Sequence, residues 1–64
     1  MSRKDYIRFA DMLRSVRQHR WAQEPAIKEG FRVALNLVET ELVDILAKDS
    51  PRFNANMFRS ASKP

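Results

Sequence analysis

The sequence predicts an all-α fold: two antiparallel helices and a short C-terminal third, paired with a second copy into a helical bundle. Three observations predict it. Residues 26–48 carry Ile27, Phe31, Ala34, Leu35, Val38, Leu42, Ile45 and Leu46 at steps of three and four, which gathers them on one wide helical face. Tyr6, Phe9, Ala10, Leu13 and Val16 repeat in the same way and make a second apolar stripe. Val33 and Leu37 fall on the other side of the long helix, and a chain of 64 residues has little else to cover them with.

The first helix is expected over residues 3–19. Ser2 and Asp5 stand at the N-cap and N3 positions of a capping box, and Asp5 also suits the positive end of the helix dipole. Ile7 and Met12 lie off the centre of its stripe and are expected to be partly exposed. Arg17 and Arg20 continue the stripe where apolar residues would be expected. There the helix either overhangs the domain or lies against something acidic.

The break between the helices is expected over residues 20–25. Pro25 lacks a backbone donor and suits the first turn of a new helix, so the second helix is expected over 25–48, about 35 Å at ~1.5 Å per residue. Gly30 sits inside it and is expected to mark a close approach of another backbone or side chain. Pro51 cannot continue that helix. Asn54 is a good cap for a third helix over 55–59, with Phe53 and Phe58 spaced as a hydrophobic staple. The domain is thus expected over residues 1–59, with a disordered tail over 60–64.

Small domains usually compensate for a marginal core with disulfides, a metal or oligomerisation. The chain has no cysteine and one histidine, which excludes a disulfide staple and a Cys or His metal cluster and leaves oligomerisation. No secretory signal or membrane span is visible, so a cytoplasmic protein is expected. The net charge of +4 is unevenly spread. Residues 1–20 hold six basic and two acidic side chains, residues 21–50 three basic and six acidic, and residues 51–64 three basic and none acidic. The basic ends either meet an external anion, nucleic acid included, or pair with the acidic middle helix.

Catalysis finds little support. The single glycine is mid-helix, so there is no phosphate loop, and His19 has no carboxylate neighbour to make it a general base. Glu39, Glu41 and Asp44 read as a solvated acidic face or as partners for the arginines. No enzyme activity and no cofactor are expected. Arginine and tryptophan are the residues most enriched at binding hot spots. Arg14, Arg17, Arg20 and Trp21 are therefore the candidate partner-binding residues, although Trp21 could instead close the end of the core. Gly30, Val33 and Leu37 are the candidate dimer interface.

Ser2-Arg3-Lys4-Asp5-Tyr6, followed by Ala10 and Leu13-Arg14, opens the chain, and Ser50-Pro51-Arg52-Phe53-Asn54, followed by Phe58, stands near its end. These two segments resemble the start and the end of a class of short helical proteins encoded by bacteriophages and prophages. Ser50 and Asn54 replace the usual asparagine and aspartate, and Arg59-Ser60-Ala61-Ser62 replaces an apolar terminus. The resemblance implies a phage or mobile-element setting, hence the cytoplasm of a bacterial host cell, and no catalytic residues. The expected function is a non-enzymatic accessory protein that binds a second copy of itself and a host protein, such as a defence component, which it inhibits. The alternative is a nucleic-acid-binding accessory protein using the basic N- and C-terminal segments.

Overall fold

The computed structural model describes residues 2–64; Met1 of the expected domain lies outside the described residues. Helix α1 spans Arg3–Arg17, a single 3-10 turn spans Arg20–Gln23, α2 spans Lys28–Asp49 and α3 spans Ala55–Ala61. Ser2 starts α1: its backbone N–H donates to Asp5 Oδ2 at 3.0 Å and its hydroxyl to the same oxygen at 3.4 Å. The helix stops at Arg17, short of His19. The Gln18 and His19 amides turn back onto the Ser15 and Val16 carbonyls, which tightens the last turn. His19 then caps the 3-10 turn, its Nδ1 accepting from the Trp21 amide at 3.2 Å.

Helix α2 starts at Lys28, not at Pro25. Residues 25–27 form a turn instead, with the Ile27 and Lys28 amides donating to the Glu24 carbonyl at 3.1 and 2.8 Å. Arg17 near the end of α1 reaches Asn36 and Glu39 of α2, while Tyr6 near its start packs on Phe53, just past the end of α2. The two long helices are therefore antiparallel, as expected. Helix α3 then runs in the direction of α1, from the Tyr6–Phe53 ring contact at 5.1 Å to Ser62, which meets Arg17.

Asn54 caps α3, its Oδ1 accepting from the Met57 amide at 3.0 Å, and the Phe53 and Phe58 rings close the staple at 5.5 Å. Removing this cap should cost about 1 kcal/mol. An Asn54→Ala variant is expected to show that loss in urea unfolding without a change in helix count, and an unchanged midpoint would show the cap to be idle. Helix α3 continues through Ala61, and Ser62 is fully buried, so the disordered tail expected from residue 60 is replaced by a packed segment that carries part of the fold.

The core is small: Ala10, Leu13, Leu46 and Phe58 are buried, with Tyr6, Phe9, Leu42, Val43 and Phe53 packed partly against them. The stripe of α1 turns inward as its spacing predicts, and Ile7 and Met12 are exposed. On α2 the inward arc is rotated. Phe31, Leu35, Leu42 and Leu46 turn in, but Ile27, Ala34, Val38 and Ile45 stay in water, and Glu39 and Val43 take the inner positions. Glu39 finds its polar partners on this inner side: Arg17 of α1, and Ser62 at the end of α3.

Candidate functional site

Four surfaces bear on function. The first is an internal polar node that ties the three helices together. Arg17 Nη1 lies 2.9 Å from Glu39 Oε1 and donates to the Ser62 carbonyl at 2.9 Å, while its Nη2 donates to Asn36 Oδ1 at 3.0 Å. The Ser62 hydroxyl donates to Glu39 Oε1. Arg59 and Lys63 stand 3.5 and 3.6 Å from the same carboxylate. The side chains of Arg17 and Glu39 are only 11% and 4% exposed. Burial pushes the Glu39 carboxyl up, but hydrogen bonds from Ser62 and Arg17 and the charges of Arg17 and Lys63 outweigh it and hold it below its ordinary value. The basic ends therefore converge on the middle helix at this point. Arg17 is spent inside the fold and does not belong to a partner-binding surface.

The second surface is the end of the bundle around the 3-10 turn. Trp21 is half exposed. Its ring meets His19 edge-on at 5.0 Å and Phe31 at 6.3 Å. It thus covers part of the α2 start while offering its remaining face to solvent. Arg20, beside it in the turn, and Arg14 on α1 are exposed. Of the four candidate partner-binding residues, these three reach the surface.

The third surface is the outer side of α2. Val33 is 55% and Leu37 63% exposed. A Cβ built on Gly30 would meet nothing within 4 Å, so the glycine admits no close neighbour from its own chain. Spacing alone finds Val33 and Leu37; it does not find Val38 and Ile45 of the same helix, or Ile27 just before it, which are also exposed.

The fourth is an open groove of about 500 Å³ between α1 and α3, lined by Tyr6, Ile7, Phe53 and Met57 with Arg3 and Arg52 at its margins. The Tyr6 hydroxyl is buried and makes no hydrogen bond among the described residues. Nothing in the sequence marks this groove, since its walls come from segments far apart in the chain.

Among the described residues no group of three or more His, Cys, Asp or Glu side chains could hold a metal ion. None of the helices described is long and apolar enough to cross a membrane. Comparison with family models, with curated proteins and with solved structures gives no match.

Proposed function

We propose that this chain is a non-enzymatic binding protein that works by protein–protein contact and is paired with a second copy of itself. One observation carries the reading: more large apolar side chains stand in water than lie in the core. Val33, Leu37, Val38 and Ile45 are exposed on α2, with Ile27 just before it, against four buried apolar residues among those described. Apolar surface in that quantity marks a contact site on a small soluble domain. Trp21 and Arg20, at the end of the bundle, have the chemistry of binding anchors, and Arg14 is a third exposed cation on α1. In the phage setting that the sequence resemblance implies, the target is a host protein such as a defence component, whose working surface the chain occludes.

Light scattering tests the pairing. The expected mass is twice the 7.5 kDa of one chain. A single-chain mass at every concentration would remove it. Fluorescence anisotropy with a labelled oligonucleotide tests the class of partner. Phosphate contacts weaken in proportion to the ion pairs formed as salt is raised. The expected result is no binding at physiological salt; tight binding with a steep salt slope would favour a nucleic-acid role instead.

A further inference from the structure

We infer that the second copy packs on the side of the α1–α2 pair that α3 leaves bare, so that four long helices enclose a shared core. This deepens the pairing proposed above and rests on it, but it places the seam elsewhere than Gly30, Val33 and Leu37.

The geometry follows from the contacts of α3. Ser62 meets Arg17 of α1 and Glu39 of α2, and the groove beside α3 is walled by Ala10 of α1 and Ser50. These residues mark the edge of each long helix that faces α3. At 100° per residue the opposite edges carry Phe9, Met12 and Val16 on α1 and Ala34, Val38 and Ile45 on α2. Of these six, Phe9 and Val16 are half-buried and the other four exposed; two carboxylates share the edges, Asp5 at the start of α1 and Glu41 between Val38 and Ile45. Two neighbouring helices thus present one mainly apolar layer, bordered by Asp5 and Glu41, while their other side is closed by α3. A layer of this kind is half of a four-helix bundle.

Surface area supports the pairing itself. A folded monomer of 7.5 kDa exposes about 4,250 Å². This chain exposes 4932 Å², and the excess of about 680 Å² is close to the ~800 Å² that each partner buries in a standard interface. Its radius of gyration is 12.4 Å, where a compact domain of this length has about 11 Å. A layer that supplements so small a core needs an occupant present whenever the chain is, in equal amount. A second copy meets that condition, and a two-fold contact lets the same face serve on both sides.

The chain has no cysteine, so single cysteines placed by mutation report the seam directly. The probe is 5,5′-dithiobis(2-nitrobenzoate), applied to Val38→Cys, Ile45→Cys, Val33→Cys and Met57→Cys. In the paired protein the first two are expected to react roughly tenfold more slowly than in dilute solution, and the last two at a rate independent of concentration. Val38→Asp is expected to weaken pairing about 100-fold or more, because two carboxylates would enter an apolar seam. Should Val38→Asp unfold the chain, the thiol rates still decide. A paired mass with Val33→Cys protected and Val38→Cys reactive would overturn this seam and leave the pairing intact. A single-chain mass would overturn both.

Discussion

Arg17→Ala is expected to lower the unfolding free energy by about 3–5 kcal/mol. The loss comes from the carboxylate left behind: Glu39 is buried, and Arg17 is its closest cation. Arg59 and Lys63 remain within 3.6 Å but are more exposed and do not restore the contacts to Asn36 and the Ser62 carbonyl. A domain this small has roughly 3–10 kcal/mol in all, so the variant should be largely unfolded in urea concentrations the native chain tolerates. The same node sets acid sensitivity. The Glu39 carboxyl is held below the ordinary 4.5 in the folded chain, so its contribution is complete above that value and is lost as pH falls through the lower, folded-state range. In Arg17→Ala much of that depression is gone, and the decline of stability between neutral pH and pH 3 should flatten. An Arg17→Ala variant as stable as the native chain, with the same acid limb, would show the node to be ornamental.

Leu46→Ala is expected to cost about 2–5 kcal/mol. Leu46 is fully buried in a core of four side chains contributed by all three helices, so the cavity has few neighbours able to close it. For a domain of this length each kcal/mol shifts the melting temperature by about 4–8 °C, which puts the expected drop at about 8 °C or more. Circular dichroism melts measure it. A shift of a degree or two would mean that the site collapses without loss and that the core is looser than its burial indicates.

The existence, order and approximate span of the helices could be read from periodicity, because each stripe and each cap is a local property of the chain. Asn54 with its Phe53–Phe58 staple is an example: cap, ring pair and helix start all lie within a few residues. The rotation of α2 could not be read this way. Its apolar residues cover so wide an arc that two faces fit it about equally, and Glu39, read from the sequence either as solvated or as a partner for the arginines, takes the second role on the inner face. The carboxylate turned inward because Ser62 and Arg17 await it there. Those partners lie 23 positions later and 22 earlier, beyond the reach of any local pattern. Arg17 itself carried a usable signal, a cation where a stripe calls for an apolar side chain, and that signal meant an acidic neighbour inside the fold. Ser62 carried none: a serine in a polar terminus looks like a frayed end.

The half-exposed tryptophan has one more consequence. Trp21 is the only indole in the chain, it sits on the connection between the long helices, and it touches rings from both His19 and Phe31. Its emission is therefore a single-site optical gauge that needs no dye: covering that tip shifts the spectrum to the blue, and prising the connection off α2 shifts it to the red.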